Sequence, residues 1–267
     1  MNSSPAFDRL TRRNRLNVSP RELLVLTCLM MSMASAGETG VVPQPQDSAD
    51  ATKAGRPMKL TLGYYDYHSF SGQDINLRYR ANDTSLWLGA YRDPEFGIQS
   101  RAGWDTAIAL GTNGVYSLAP SVQAASKGFV GGSLSVQAGA PWFLLAGIGR
   151  TNLRPYANLN FDPNDAITVS GGYRGEDGRA FFLTAIVDDR LGTGQRHFHA
   201  TSQFPGHGTR FTFDILRKTG NGDSGYVRAW GTTITCDFPA WFIRIAYDPK
   251  QNFGSVDATR LSAGVRF

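Results

Sequence analysis

The sequence predicts an all-β protein: a closed antiparallel transmembrane β-barrel of about 14 strands, with 12 and 16 also open, at about 9–11 residues per spanning strand, occupying residues 58–267. Three observations predict it. From Lys59 onward apolar and polar residues alternate with period two, and no window there sustains a 3.6-residue repeat. Turn-forming residues punctuate that alternation at short intervals. A leader of the kind that directs export precedes the whole.

Residues 1–36 form that leader. Arg9, Arg12, Arg13, Arg15 and Arg21 precede an apolar run from Leu23 to Ala36, shorter than the roughly 20 residues of a membrane-spanning helix. The run closes on Ala34-Ser35-Ala36, a small-residue cleavage signature, so the expectation is a secretory signal peptide removed after Ala36. A retained anchor helix is the alternative. Cys28 lies inside the run instead of at its end, which argues against lipid attachment. Residues 37–57 hold no aromatic side chain and little to bury, and read as a flexible periplasmic lead.

Composition narrows the class. A chain 41% hydrophobic and only 18% charged is not a disordered one. Two cysteines, Cys28 and Cys236, exclude a disulfide framework and a cysteine-based zinc site. The net charge of +5 suggests nucleic acid, but five of the 27 basic residues and two of the 22 acidic ones lie in the leader. The remainder holds 22 against 20, and no nucleic-acid partner is expected.

The strand signal is clearest in four places. Asp74–Arg80 sets Ile75, Leu77 and Tyr79 against Asp74, Asn76, Arg78 and Arg80; Arg154–Phe161 sets Ala157, Leu159 and Phe161 against Tyr156, Asn158 and Asn160. Arg210–Ile215 and Trp241–Tyr247 behave likewise. Each reads as a strand with one apolar and one polar face. Turns are expected at Asn82-Asp83, Asp93-Pro94, Thr112-Asn113-Gly114, Asp162–Asp165, Gly175–Gly178, Pro205-Gly206, Asn221-Gly222 and Asp248-Pro249, with short loops throughout. About 15 candidate strands result. A single-chain bacterial barrel has an even number, so one break is misplaced, within 98–126 or 141–162, where the punctuation is poorest.

A soluble sandwich or barrel would share the alternation; two features favour the membrane. Aromatic residues gather near strand ends (Tyr64, Tyr65, Tyr67, Trp87, Tyr91, Phe96, Trp104, Trp142, Phe143, Tyr156, Trp230, Trp241 and Tyr247), as interfacial girdles require. The final stretch, Thr259–Phe267, places Leu261, Ala263, Val265 and Phe267 on one face and Arg260, Ser262, Gly264 and Arg266 on the other. It resembles the terminal strand by which Gram-negative outer-membrane barrels are recognised for assembly, which makes Phe267 the expected assembly signal. The segments Gly128–Gly132, Gly149–Asp165 and Asp248–Phe253 resemble uncharacterised proteobacterial outer-membrane proteins of a porin-like family. That resemblance implies a bacterial outer-membrane location and the barrel assembly machinery, outer-membrane lipid and lipopolysaccharide as partners. It implies no activity and no residue roles.

If the apolar face meets lipid, the polar face lines a lumen. Arg78, Arg80, Asn158, Asn160, Arg210, Asp214, Arg244 and Arg260 are then the expected pore-lining residues, with Arg266 and Asp74 beside them. A charge turned to lipid at midplane would cost about 2–4 kcal/mol. Inward arginines can favour anionic solutes, or they can pair with Asp74, Asp105, Asp188, Asp214 and Asp237 and brace the wall. The expected function is a small pore for anionic or polar solutes. The alternatives are an enzyme acting on lipid A or phospholipid acyl chains, and a filled structural barrel.

For the enzyme, His197 and His199 form the one candidate site. They share a strand face, whereas His199 and Ser202 face oppositely and cannot act as base and nucleophile. As a metal site the two histidines lack a third ligand, with Asp188 and Asp189 the nearest acids; no metal is assigned. Phosphate loops, nucleophile elbows and dinucleotide fingerprints do not occur, so no cofactor is expected.

Overall fold

In a computed structural model, residues 55–111 and 115–267 are described; the leader with Cys28, most of the lead and the expected turn at Thr112-Asn113-Gly114 lie outside them. The strands are β1 (Met58–Asp66), β2 (Ser71–Ala81), β3 (Thr84–Asp93), β4 (Gly97–Thr106), β5 (Ile108–Leu110), β6 (Tyr116–Ala125), β7 (Phe129–Ala138), β8 (Trp142–Thr151), β9 (Ala166–Arg174), β10 (Ala180–Asp188), β11 (Arg196–Pro205), β12 (Arg210–Gly222), β13 (Gly225–Asp237), β14 (Trp241–Asp248) and β15 (Ala258–Arg266).

Each strand pairs antiparallel with the next, except that β4 and β5 both pair with β6, and β1 pairs with β15, which closes the sheet. Met58 and Phe267 exchange both backbone hydrogen bonds, at 2.9 and 3.0 Å, completing the seam. The staves number fourteen, because β5 continues β4: β6 pairs with β4 through Ser121–Ala125 and with β5 through Tyr116–Leu118. The ladder lapses beside Ala119 and Pro120, where proline has no N–H to give. Of the two poorly punctuated stretches, 98–126 holds a stave in two segments, and 141–162 holds the counted strand 154–161 that the structure does not form.

Side chains alternate across the wall. Leu88, Leu144, Val169, Leu183, Ile215 and Ile245 are among the exposed apolar residues of the outer face, and a surface so apolar is one that a bilayer covers. Girdle aromatics ring that belt: Tyr79, Trp142, Tyr173, Phe204 and Trp241 at the end carrying the termini, Tyr64, Tyr226, Trp230 and Tyr247 at the other.

The expected girdle is only partly a girdle. Tyr65, Tyr67, Trp87, Tyr91 and Phe143 are buried in the interior, and Tyr156 stacks on the inward Phe129 with centroids 4.1 Å apart. Glycines on neighbouring strands make room for such rings. A Cβ on Gly103 would lie 2.3 Å from Trp87, and one on Gly264 2.4 Å from Phe242. Substitution there would force large rings to move inside a closed wall.

The larger correction concerns residues 152–165. The alternation of Ala157, Leu159 and Phe161 predicts a strand there; the structure has a long non-strand connection between β8 and β9. The expectation of short loops fails at the same place. Leu159 and Phe161 meet Tyr65, Tyr67 and Tyr91 in a cluster inside the barrel, so their apolar face packs on the inner wall instead of on lipid.

Candidate functional site

The interior has two differently built ends. At the end away from the termini, the loop 152–165 enters the lumen and is fastened by its own backbone. The buried Gln99 side chain accepts from the Ala157 N–H at 2.9 Å and donates to its carbonyl at 3.2 Å. Arg260 Nη1 donates to the Leu159 carbonyl at 3.1 Å, and its guanidinium lies 4.8 Å from the Phe161 ring centroid. Gln251 and Asn252 both donate to the Asn158 carbonyl, at 3.2 and 3.0 Å. Asn158 in turn caps the loop itself: its amide donates to the Asp162 carbonyl at 2.6 Å while its oxygen accepts from the Asn160 N–H at 3.1 Å.

Phe161 adopts φ +70, a left-handed conformation costing roughly 1–2 kcal/mol for a bulky residue. It persists because the ring is buried against Tyr65 and the rest of the cluster. At the root of the loop, Asp165 accepts from the Thr151 N–H and hydroxyl, both at 2.8 Å.

The charges at this end are matched and dry. Arg101 meets Asp74 at 2.6 Å with side-chain exposures of 1% and 0%, and Lys218 meets Asp248 at 2.5 Å with 0% and 1%. Isolated burial of any of these would be prohibitive; pairing is what makes it tolerable. Asp162, from the loop, receives His197 Nδ1 at 2.7 Å and His199 Nε2 at 3.1 Å on one carboxylate oxygen. Burial opposes ionisation of Asp162, but the two imidazoles outweigh it and hold its carboxyl below the usual carboxylate range. A cleft of about 450 Å³ opens beside the loop, with Arg154, Tyr156, Phe161 and Arg190 in its lining.

At the terminus end the inward-facing strand residues are mainly cations. Lys59, Arg78 and Arg266 share a face across β1, β2 and β15 by their register, Arg80 lies two residues beyond Arg78, and Arg244 and Arg210 face inward from β14 and β12. The inward acids among them are Asp105 and Asp237. Arg78 reaches Asp105 at 3.3 Å, while Asp237 takes Arg210 at 2.8 Å and Arg266 at 2.7 Å. Across β6, β7 and β8 several inward positions are small (Ser117, Ala119, Ser121, Ser133, Ser135 and Gly147, all half-buried), interspersed with the larger Gln137, Phe143 and Leu145. These short side chains lie on the same inner surface as the arginines of β1, β2, β12, β14 and β15.

The expected lining residues thus occupy different positions. Arg78, Arg80, Arg210 and Arg244 lie on the wall toward the terminus end. Asp214 sits at mid-height, bound to His199 at 2.9 Å and Thr201 at 2.6 Å. Arg260 is buried beneath the loop, and Asn158 and Asn160 belong to the loop and not to a wall strand. His197 and His199 face inward together, but Asp188 and Asp189 are not their partners: those acids pair with Arg190 and Arg150. Sequence reasoning missed Asp162, Gln99 and the buried Lys218. For Lys218 the signal was present, since its position in the β12 alternation is inward.

The fold and interior define a fourteen-stave transmembrane barrel with a loop folded into one mouth. No known family profile matches the chain, and no curated protein matches it in sequence. Among solved structures it is similar in fold to the outer membrane protein Omp33 of Acinetobacter baumannii, with a TM-score of 0.52 and 13% identity over 79% of this chain and 98% of that one. The NanC porin (TM-score 0.44, 9% identity, 79% and 98% covered) and the KdgM porin (0.43, 9%, 78% and 99%) are looser likenesses.

Proposed function

We propose that the protein is an outer-membrane pore for small anionic or polar solutes, with both termini periplasmic and the loop 152–165 forming its constriction. The observation that supports this reading is the terminus end of the interior, where Arg78, Arg80, Arg210, Arg244 and Arg266 face inward against only Asp105 and Asp237, and several positions of β6–β8 are small and half-buried. Such a lining raises the local concentration of anions and admits water. The closed barrel with an apolar belt supports the location, and the lipid and lipopolysaccharide of that membrane are the surroundings the belt requires.

Refolded protein in planar bilayers, under a salt gradient, tests the reading. Discrete conductance steps with a reversal potential on the anion side are expected. Replacing Arg78 and Arg80 together with Ser shifts that potential toward cations; an unchanged potential would show that these arginines do not set selectivity. A folded but silent barrel would favour the second reading, a filled structural barrel, for which the buried loop is the supporting observation.

The outward Phe267, paired with Met58 at the seam, is in position to be read by the barrel assembly machinery. Phe267→Ala is expected to reduce heat-modifiable barrel in the outer membrane. Normal accumulation of the variant would remove Phe267 as the assembly signal.

A further inference from the structure

We propose that Asp162, His197 and His199 form a binding site for a borderline-soft divalent cation of the zinc class, which fastens the inserted loop to the barrel wall. The three side chains come from two places, the loop and β11, and one ligand atom from each lies within 4.8 Å of the other two. Two imidazole nitrogens converge on a single carboxylate oxygen, at 2.7 and 3.1 Å. Two histidines and one carboxylate make a donor set that imidazole-preferring metals take, with water as a fourth ligand.

A second layer is already in place. His199 Nδ1 lies 2.9 Å from Asp214, whose other oxygen accepts from the Thr201 hydroxyl at 2.6 Å. That contact fixes the ring with Nε2 pointing at Asp162 and makes the nitrogen a better donor, the arrangement usual around metal-ligating histidines. His197 is wholly buried with its Nε2 unpartnered, so Nδ1 is the nitrogen it offers. Metal–ligand bonds of about 2.0–2.2 Å require the donors to stand farther apart than a hydrogen bond. Asp162 sits on the loop, so it is the donor freest to withdraw. The cleft lies next to the cluster: Phe161 and Pro163 on either side of Asp162 line it, as does Phe253, whose ring lies 5.4 Å from His197.

The test uses untagged, refolded barrel in detergent and Co²⁺ alone as the probe, read by its visible absorption. Saturation at one equivalent, displacement by Zn²⁺, and loss in both Asp162→Asn and His197→Ala are expected, with His68→Ala and His207→Ala unchanged. No saturable band, or a band that survives both Asp162→Asn and His197→Ala, would overturn the site and leave a hydrogen-bonded acid–imidazole cluster only. Zn²⁺ is further expected to slow proteolysis within 152–165, and a chelator to reverse this. Binding without such protection would overturn the fastening role. Because Asp162→Asn changes a loop residue, it reads the site without disturbing the wall, and neither readout depends on conductance.

Discussion

At the loop end of the interior, Arg101 and Asp74 lie 2.6 Å apart with both side chains out of solvent; at the terminus end, Arg78 stands 3.3 Å from an Asp105 whose side chain is 32% exposed. Both are inward arginine–aspartate pairs on the same β2–β4 stretch of wall, yet they serve opposite ends. A dry pair is tolerable only if fully matched, so it belongs to a part of the barrel held closed. A hydrated pair costs little and leaves its field available to solutes. The same residue types therefore stand dry at one end and hydrated at the other, and what separates them is the loop packed into the first.

The comparison breaks most visibly if the loop is removed. Replacing 155–161 with a short Gly-Ser link would take Leu159 and Phe161 out of the tyrosine cluster and free Gln99 and Arg260. Single-channel conductance is expected to rise several-fold while the anion preference, set at the other end, persists. Unaltered conductance would place the constriction elsewhere.

A stability comparison sharpens the point. Arg101→Met leaves Asp74 buried without its cation and is expected to cost about 3–5 kcal/mol, whereas Arg78→Ser is expected to cost about 0–1 kcal/mol. Unfolding in urea from detergent, followed by the loss of heat-modifiable mobility, measures both. Equal losses would mean that the two ends are equally dry.

The sequence made the wall legible because lipid tolerates so little. Period-two alternation, as in Asp74–Arg80, marks a strand with unlike faces, and its repetition from Lys59 to a terminal aromatic residue is what points to barrel staves. The break between β4 and β5, opposite Pro120, carries no turn signal because the stave is continuous and only its ladder lapses. Residues 154–161 misled for a deeper reason. Alternation reports that a segment has an apolar and a polar side, not what lies against the apolar one, and a strap laid on an inner wall of tyrosines satisfies it as well as lipid does. The girdle aromatics carried a usable parity signal: Tyr64 and Tyr65 are neighbours and cannot both face out. The His197–His199 site was half legible, since sharing a strand face is local information. Asp162 lies 35 residues from His197 in sequence, and only the path of the loop brings it there.

The finest test of the contrast is pH. In the docked loop the Asp162 carboxyl is held below its ordinary range, largely against the effect of its own burial, by His199 and His197. In a released loop it would titrate near its ordinary value of roughly 4. A carboxyl depressed in the docked state favours docking above that ordinary value, and the contribution disappears only as pH falls through the depressed one. Asp214, Lys218 and Asp248 surround the same contact, and the latter two are occupied with each other. Exchange protection of the 157–161 amides, corrected for intrinsic rates and measured with a chelator present, is therefore expected to hold between pH 7 and 4.5. Asp162→Asn is expected to lower protection at both values by the same factor. Opening of the wild-type loop between pH 7 and 4.5 would show that the Asp162 carboxylate does not hold it down.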